Sequence, residues 1–256
     1  MNYLKNKNIL ITGASYGLGA LLAKDLSKED CKLILVARSE SKLKKIINSC
    51  KNKNKHHYFC SDFQSIIEIL NMTKFVNKTF KRLDIIMHVA GGGLGINEFL
   101  PKREDYMKVF NLNLFAIFEI NRELSKMMIK QKKGTIFHVG SIASNEAAGS
   151  ISYNVSKSAL SSYVRTLAKK LGKYNICVNG ICPGGFIYKD NAMDRLRKRN
   201  LKAYKDFINK RIPIKRMPFA KELLSIIKFS ISKNNLILTG NMISCDSGEG
   251  NFYKTF

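Results

Sequence analysis

The chain has 256 residues, of which 45% are hydrophobic and 25% are charged, and a chain of this kind is long enough to bury one sizeable core. It contains no apolar run near the ~20 residues that a membrane helix needs, and its N-terminus lacks the basic-then-apolar organisation of a signal peptide. The six cysteines include no C-x-x-C pair, and the four histidines show no metal-ligand spacing. We therefore expect a cytoplasmic globular protein without a disulfide framework, a metal site or a membrane partner.

The formal net charge of +25 comes from 44 Lys and Arg residues against 19 Asp and Glu residues. A charge of this size can indicate nucleic acid, a membrane surface or an acidic substrate. Lysine is interspersed with asparagine along most of the chain, as in residues 42–55, and this pattern favours a general compositional drift. The sequence contains neither a basic zipper nor an aromatic ribonucleoprotein motif, so we do not expect a nucleic-acid partner.

Apolar runs of strand length alternate along the chain with longer stretches of helical period. This alternation predicts βαβ units and therefore an α/β fold with a parallel sheet. The predicted strands cover residues 8–12, 32–37, 56–60, 83–89, 135–140, 176–181 and 236–239. The predicted helices cover residues 17–27, 40–49, 66–80, 104–130, 153–171, 192–210 and 220–230. No linker or repeat interrupts this order, so we expect a single domain over residues 1–256.

A glycine-rich turn joins the first predicted strand to the first predicted helix. It has the spacing T-G-x-x-x-G-x-G and reads Thr12-Gly13-Ala14-Ser15-Tyr16-Gly17-Leu18-Gly19. Glycines at such a turn let the backbone approach a pyrophosphate, and the helix N-terminus offers free N–H groups to it. The turn therefore predicts a nucleotide-binding site, with a purely structural turn as the alternative interpretation.

The second predicted strand is followed directly by Arg38 and Ser39. A dinucleotide-binding fold that uses NAD usually presents an acidic side chain at this position to the adenosine ribose. An arginine instead pairs readily with a phosphate group. We therefore predict that NADP(H) is preferred, while NAD(H) stays open because an arginine on a surface loop is often only solvated.

Tyr153 and Lys157 lie four residues apart at the start of a predicted helix, and Ser141 lies upstream at the end of an apolar run. Side chains at i and i+4 share one helix face, separated by roughly 6 Å of axial rise, so these two can act on one small volume. A nearby ammonium group lowers the pKa of a phenol from its usual ~10, which lets a tyrosine serve as general acid or base. The spacing alone is weak evidence, because Tyr3 and Lys7 match it equally well.

Taken together and in register, these motifs resemble the short-chain dehydrogenase/reductase family over essentially the whole chain. Further matches to the family's motifs are Asp62, His88-Val89-Ala90-Gly91, Asn113, Pro183-Gly184, Leu238-Thr239-Gly240 and Asp246-Ser247-Gly248. The resemblance implies a Rossmann-type, doubly wound parallel sheet of seven strands with helices on both faces. The cofactor-binding residues that it implies are Gly13, Ser15, Tyr16, Gly17, Leu18, Gly19, Arg38, Ser39, Asp62, Ala90, Gly91, Tyr153, Lys157, Pro183, Gly184 and Phe186.

Some positions depart from the family pattern around the cofactor pocket. His88 and Val89 replace two asparagines that brace the sheet and the pocket in the family, and Tyr188 stands where a threonine often contacts the nicotinamide carboxamide. Ser141 and Tyr153 are 12 positions apart, one fewer than the commonest spacing. None of these departures involves the residues that the resemblance assigns to proton transfer.

The resemblance implies an oxidoreductase that interconverts a carbonyl and a secondary alcohol by hydride transfer to or from NAD(P). Its catalytic residues would be Asn113, Ser141, Tyr153 and Lys157. Ser141 and Tyr153 would hydrogen-bond the substrate oxygen, with Tyr153 as general acid and base. Lys157 would lower the phenol pKa and hold the nicotinamide ribose, and Asn113 would position a water that links Lys157 to bulk solvent.

Substrate choice in such a fold comes from segments beyond the carboxyl ends of the strands, chiefly residues 91–101, 143–152 and 186–218. We expect the last of these, at about residues 186–218, to form a lid. Basic residues crowd this predicted lid segment, namely Arg195, Arg197, Lys198, Arg199, Lys202, Lys205, Lys210, Arg211, Lys215 and Arg216. They favour an anionic substrate, although compositional drift explains them equally well. The resemblance makes a 3-oxoacyl group on a carrier and a sugar-derived compound the two candidates, and the sequence does not separate them.

A different class of function also stays open, in which the fold has been repurposed as a regulator or a nucleic-acid-associated protein. The four intact catalytic positions argue against it. The long predicted helix after Glu104 carries more apolar side chains than one sheet contact requires, which a fully buried core helix would explain. In the resembled family the corresponding helix and the tyrosine-bearing helix commonly build a dimer or tetramer, so we expect a homodimer or homotetramer.

Overall fold

A computed structural model describes residues 3–232 and 236–251 of the chain. Seven strands form one parallel sheet in the order β3-β2-β1-β4-β5-β6-β7. The strands are β1 (Asn8–Thr12), β2 (Lys32–Ala37), β3 (His57–Cys60), β4 (Ile85–His88), β5 (Gly134–Val139), β6 (Ile176–Pro183) and β7 (Met242–Cys245). The order of the strands reverses between β1 and β4, and in open parallel sheets such a reversal leaves a crevice at the carboxyl ends of the strands.

Helices cover both faces of the sheet. They are α1 (Gly17–Leu26), α2 (Glu40–Asn48), α3 (Ile66–Thr79), α4 (Arg103–Phe110), α5 (Ala116–Gln131), α6 (Ile151–Leu171), α7 (Ala192–Arg199), α8 (Leu201–Arg211) and α9 (Leu223–Ser230), with a π-helix at Asn111–Phe115. Short 3-10 turns lie at Ser27–Glu29, Lys53–Lys55, Ile142–Ser144, Gly172–Tyr174, Ala220–Glu222 and Leu236–Leu238. None of the helices in the described ranges is both long and apolar enough to cross a membrane.

Successive side chains of the strands enter two different apolar cores. Ile9 and Ile11 of β1 pack with α1, α2 and α9, whereas Leu10 packs on the other side with α3, α5 and α6. Both faces of the sheet are therefore buried against helices, which is why most of its strands appear in the sequence as continuous apolar runs. The predicted fold, a doubly wound parallel sheet of seven strands with helices on both faces, is confirmed.

The predicted position of the last strand, at residues 236–239, is wrong. Its first three residues form a 3-10 turn in which Ile237 is 89% exposed, and the strand that pairs with β6 is Met242–Cys245. Gly240 separates the two: its φ of +86° is a conformation that favours glycine, and its N–H donates to the Val178 carbonyl at 2.7 Å. The chain therefore turns before it can pair, and β7 delivers residues 246–251 to the carboxyl edge of the sheet.

The helix predicted at residues 104–130 is interrupted by the π-helix. The Nδ2 of Asn113 donates to the carbonyl of Val109, four residues earlier, at 2.8 Å. A side chain that enters the i to i−4 hydrogen-bond ladder widens the helix locally, and such π-turns occur frequently at functional sites. The interruption therefore coincides with the predicted active-site asparagine.

The helix predicted at residues 192–210 is two helices, α7 and α8, which meet at Asn200. The side chain of Asn200 accepts a hydrogen bond from the N–H of Ala203 at 2.9 Å and so caps the start of α8. Both helices pack over a small apolar cluster of their own, formed by Tyr204, Ile208, Ile212 and Met217.

Candidate active site

A cleft of about 580 Å³ opens at the carboxyl ends of the strands, beside the reversal between β1 and β4. This volume lies within the range of pockets that hold cofactors and small ligands. The predicted cofactor residues all line it, namely Gly13, Ser15, Tyr16, Gly17, Leu18, Gly19, Arg38, Ser39, Asp62, Ala90, Gly91, Tyr153, Lys157, Pro183, Gly184 and Phe186. Ser141 lines the same cleft, so the glycine turn and three of the four predicted catalytic residues line one continuous cleft.

The glycine turn is packed too closely for side chains at two of its positions. A Cβ on Gly19 would lie 2.3 Å from the carbonyl oxygen of Gly13, and a Cβ on Gly13 would lie 2.7 Å from the Cα of Ala90. At Gly17, by contrast, a Cβ would meet no atom of the described chain within 4 Å. The start of α1 thus presents bare backbone to the cleft, with no acidic residue in its first turn, and this cradle fits a phosphate-bearing nucleotide.

Arg38 lies exposed at the end of β2, on the wall of the cleft. Within the described part of the chain its guanidinium makes no ion pair or hydrogen bond. Lys42 lines the cleft beside it, in the first turn of α2, where the N–H of Lys42 donates to the Ser39 hydroxyl at 3.5 Å. Lys42 was not singled out from the sequence, although its position four residues after Arg38 at a helix start was a usable signal.

His88 and Val89 stand where the family pattern has two asparagines, and hydrogen bonds to Thr12 support this part of the cleft instead. The Oγ1 of Thr12, at the end of β1, accepts hydrogen bonds from the N–H groups of Val89 at 3.1 Å and Ala90 at 3.3 Å. These bonds tie the end of β1 to the segment after β4, so the floor of the cleft is fixed from the neighbouring strand.

Lys157 is almost completely buried, with 2% of its surface exposed. Its Nζ donates a hydrogen bond to the carbonyl oxygen of Val139, at the end of β5, over 2.9 Å. Burial disfavours the charged ammonium and lowers the pKa of Lys157 from 10.5 to about 8. Lys157 is therefore a cation at neutral pH that loses its charge at mildly alkaline pH.

Tyr153 is half-buried, and the Nζ of Lys157 lies 5.7 Å from the centre of its ring. Burial raises the pKa of the Tyr153 phenol above 10, while a hydrogen bond with Ser141 lowers it by a smaller amount. The net direction is the opposite of the one expected from the tyrosine-lysine spacing, because burial of a phenolate outweighs the hydrogen bond and the ammonium is directed at Val139. The phenol is therefore protonated at neutral pH.

Asn113 does not line the cleft but lies fully buried behind its wall. A Cβ built on Gly91 would lie 2.9 Å from the Oδ1 of Asn113 and 3.1 Å from the Nζ of Lys157. Gly91 thus separates the asparagine from the lysine, and only a residue without a side chain leaves both groups in place.

The Ser141 segment is fastened to the helix that carries Tyr153 and Lys157. The hydroxyl of Ser144 donates to the Lys157 carbonyl at 3.0 Å, and the hydroxyl of Ser158 donates to the Ser144 carbonyl at 2.6 Å. Both bonds join the 3-10 turn after β5 to α6. The serine and the tyrosine are therefore held in one rigid unit.

A buried histidine pair lies in the sheet next to this unit. His88 of β4 and His138 of β5 stack with ring centres 4.9 Å apart, and the His88 Nε2 bonds to the Asn121 Oδ1 at 2.8 Å. Burial lowers the pKa of His88 to about 4 and that of His138 well below its usual value. Both rings are neutral at neutral pH, and neither was identified from the sequence as a paired group. Among the described residues, no cluster of three or more His, Cys, Asp or Glu side chains could hold a metal ion.

Acidic partners inside the molecule neutralise several basic residues of the predicted lid segment. Arg197 and Lys198 pair with Asp194, and Arg216 forms two 2.8 Å hydrogen bonds with Glu222. Arg211 lies between Glu146 and Glu249, 3.8 and 3.9 Å from their carboxylates. Four of the ten basic residues named from the sequence thus pair with carboxylates, and this pairing offsets only part of the positive charge of the segment.

The fold and the cleft define a nucleotide-binding enzyme of the doubly wound class, with a tyrosine, a serine and a lysine beside the nucleotide cradle. Residues 7–200 match the family model described as short chain dehydrogenase. The chain belongs to the short-chain dehydrogenase family, whose members are oxidoreductases acting on C=O and CH–OH groups, and the resemblance seen in the sequence is confirmed.

Proteins with different named substrates are similar to this chain at comparable sequence identity. It is 32% identical over 246 residues to the 3-oxoacyl-[acyl-carrier-protein] reductase FabG of Buchnera aphidicola subsp. Baizongia pistaciae, covering 94% of this chain and 96% of the relative. It is 26% identical to the 2,3-dihydro-2,3-dihydroxybenzoate dehydrogenase of Bacillus subtilis, with 96% of each chain covered. A structure of L-sorbose reductase from Gluconobacter frateurii, complexed with NADPH and L-sorbose, is 28% identical with a TM-score of 0.88, covering 97% of this chain and 98% of the other.

Proposed function

We propose that this protein is an NADP(H)-dependent reductase that converts a ketone into a secondary alcohol, with Tyr153 as the proton donor. The observation that carries the proposal is that Ser141, Tyr153 and Lys157 line the same cleft as the glycine turn and Arg38. Proton transfer and nucleotide binding thus have their residues in one space.

The nucleotide would lie with its pyrophosphate on the start of α1 and its adenosine beside Asp62. Arg38 and Lys42 bring two cations to the end of β2, where the 2′-phosphate of NADP(H) would lie, and this supports NADP(H) as the preferred cofactor. The L-sorbose reductase relative was crystallised with NADPH, which agrees with this preference. When bound, the nicotinamide supplies the hydride, and NAD(H) remains the second cofactor to test.

Reduction needs a proton for the oxygen that becomes negative as the carbonyl is reduced. Tyr153 carries one at neutral pH, as any phenol does, and burial raises its pKa further; Ser141 offers a second hydrogen-bond donor to the same oxygen. A donor aimed at a developing oxyanion contributes roughly 3 kcal/mol to a lower barrier. Lys157 holds the cofactor ribose and places a positive charge near the phenol, which favours its loss of the proton during the reaction.

For the substrate we propose a 3-oxoacyl group carried as a thioester. The loop after β4 presents Leu94, Phe99 and Leu100 to solvent at 45, 85 and 80% exposure, and Leu94 also lines the cleft. An apolar side chain at the cleft, with two more exposed in the same loop, suits an acyl chain better than a polyhydroxylated sugar. A ketose is the second candidate, because the L-sorbose reductase structure covers the whole fold at 28% identity.

A substrate panel tests both candidates. Purified protein is mixed with NADPH or NADH and with acetoacetyl-CoA, an acetoacetyl carrier protein or L-sorbose, and cofactor oxidation is followed by absorbance. Higher kcat/KM for the acetoacetyl thioesters with NADPH supports the proposal, and a preference for L-sorbose transfers it to the second candidate. No oxidation with any of them, combined with salt-sensitive binding of DNA, would favour a repurposed fold.

Two further features belong to the same proposal. We propose that residues 1–256 function as one domain and that residues 186–218 form its substrate lid. We also propose a homodimer or homotetramer built on α4, α5 and α6, because Met107, Phe115 and Val155 remain 38 to 47% exposed on these helices and the π-helix between them. Light scattering at micromolar protein concentration tests the assembly, and a monomer would contradict it.

A further inference from the structure

Tyr16 joins the two walls of the cofactor cleft. It lies in the glycine turn, and its hydroxyl donates a hydrogen bond to the carbonyl oxygen of Lys189, in the segment that follows β6. Its ring meets the ring of Tyr188 edge to face, with centres 5.4 Å apart. Tyr16 and Tyr188 both line the cleft, so this contact lies at the mouth of the nucleotide site.

The segment that Tyr16 holds is itself well ordered by internal bonds. The Asn191 Nδ2 donates to the Phe186 carbonyl at 2.7 Å, and the Asp190 N–H donates to the Asp194 carboxylate at 2.8 Å. The same Asn191 caps α7 through its Oδ1, which accepts from the N–H of Asp194 at 2.9 Å. These bonds hold residues 186–194 together, so a contact at Lys189 restrains the whole segment.

We propose that Tyr16 is a positioning residue that fastens residues 186–191 across the mouth of the cleft and thereby slows the release of NADP(H). The inference rests on the proposed function, since it assumes a dinucleotide on the glycine turn. A dinucleotide that lies between the turn and this segment leaves only when the Tyr16 contact opens. The contact has two parts, the hydrogen bond of the Tyr16 hydroxyl to Lys189 and the edge-to-face packing of its ring on Tyr188. Different substitutions can remove the two parts separately.

The test measures NADPH dissociation by stopped-flow fluorescence with excess NADP⁺ as competitor. Tyr16→Phe removes the hydroxyl and keeps the ring contact, and the dissociation rate constant should rise about fivefold, as expected for the loss of one hydrogen bond. Tyr16→Leu also removes the edge-to-face contact, and a further rise of about fivefold is expected. The association rate constant should be unchanged or higher in both variants.

Tyr3→Phe is the matched control, because the Tyr3 hydroxyl also donates to a lysine carbonyl, that of Lys228, at 2.6 Å and far from the cleft. Each Phe variant should lose a similar amount of unfolding free energy, but only Tyr16→Phe should release NADPH faster. Equal dissociation rates in wild type, Tyr16→Phe and Tyr16→Leu would overturn the inference and leave the proposed function intact. A wild-type protein that binds no dinucleotide would overturn both.

Discussion

Asn113 holds Gly92 by two hydrogen bonds: its Oδ1 accepts from the Gly92 N–H at 3.0 Å, and its Nδ2 donates to the Gly92 carbonyl at 2.9 Å. The same Nδ2 donates to the Val109 carbonyl inside the helix. The fully buried carboxamide of Asn113 thus joins the segment after β4 to the π-helix. It fixes the backbone next to Gly91, where the absence of a side chain leaves room for the Nζ of Lys157.

Asn113→Ala should therefore lower both stability and activity. The substitution leaves the Gly92 and Val109 groups without their buried partner, and we expect a loss of about 2 kcal/mol in the free energy of unfolding. We also expect a fall in kcat, because the wall beside Lys157 loses its support. Urea unfolding and steady-state kinetics check the two effects. Asn111→Ala is the control: its side chain contacts Gln64 at the surface, and equal losses in both variants would contradict the role given to Asn113.

Tyr153→Phe should abolish reduction while NADPH still binds. Removing a general acid typically lowers a rate by roughly 10² to 10⁴-fold, and the ring itself remains to fill the cleft. Tyr163→Phe is the matched control, since Tyr163 lies on the same helix and its hydroxyl accepts a hydrogen bond from Asn121, away from the cleft. The checks are kcat with the best substrate and NADPH titration by fluorescence. Activity of Tyr153→Phe within a few-fold of wild type would remove Tyr153 from the mechanism.

The sequence was sufficient to predict the parts of the fold that local patterns encode. The central strands are covered on both faces, so they were visible as apolar runs, and the glycine turn lies where its spacing predicted. The last strand was missed because Leu236–Leu238 is as apolar as a strand, and only the turn at Gly240 and its bond to Val178 determine where pairing begins.

The candidate site shows the same division between local and non-local information. Tyr153, Lys157 and Arg38 were identifiable from spacing and position, and all three line the cleft. The direction of the Tyr153 pKa was predicted wrongly, because burial depends on how α6 packs against β5 and no spacing reports it. His88 and His138 lie 50 positions apart, and only the pairing of β4 with β5 reveals that their rings stack.

Arg38→Asp should reverse the cofactor preference. The guanidinium has no other partner in the described part of the chain, so its removal should weaken NADPH binding by about tenfold or more, as for the loss of one charge-assisted hydrogen bond. The new carboxylate should repel the 2′-phosphate and accept hydrogen bonds from the ribose of NADH.

The measurement for this prediction is the ratio of kcat/KM for NADPH to that for NADH. Lys45→Ala serves as the control, because Lys45 is an exposed cation on α2, the helix that follows Arg38, and does not line the cleft. It should leave the ratio unchanged. An unchanged ratio in Arg38→Asp would show that the 2′-phosphate is bound elsewhere.

Activity should fall on the alkaline side with an apparent pKa near 8. Burial lowers the pKa of Lys157 to about 8, so the ammonium is mostly charged at neutral pH, half charged near pH 8 and progressively lost above it. Loss of the charge removes the cation beside Tyr153, so kcat/KM for reduction should decline as the pH rises through 8. A pH profile between about 6 and 10 checks the decline. In Lys157→Arg any remaining activity should not decline as the pH rises through 8, because a guanidinium stays charged over the whole range.

His88 should contribute to acid sensitivity of the fold. Burial holds the pKa of His88 at about 4 in the folded protein, against 6.5 for an unperturbed histidine, so the unfolded chain binds its proton first as the pH falls. Stability is therefore fully present above about pH 6.5 and is lost progressively down to about pH 4, by up to roughly 3 kcal/mol from this group. His138, stacked on it, acts in the same direction, and the nearby Lys157 charge opposes protonation of His138.

The substitution that tests this is His88→Gln, which keeps a polar side chain near Asn121 but cannot titrate. The difference in unfolding free energy between about pH 7 and pH 4.5 should shrink relative to wild type, whatever the substitution does to stability at pH 7. His57→Gln, at an exposed position on β3, is the surface control for replacing a histidine by glutamine. If His88→Gln and wild type lose stability equally over this range, His88 is not buried as a neutral ring, and the acid limb must come from other groups.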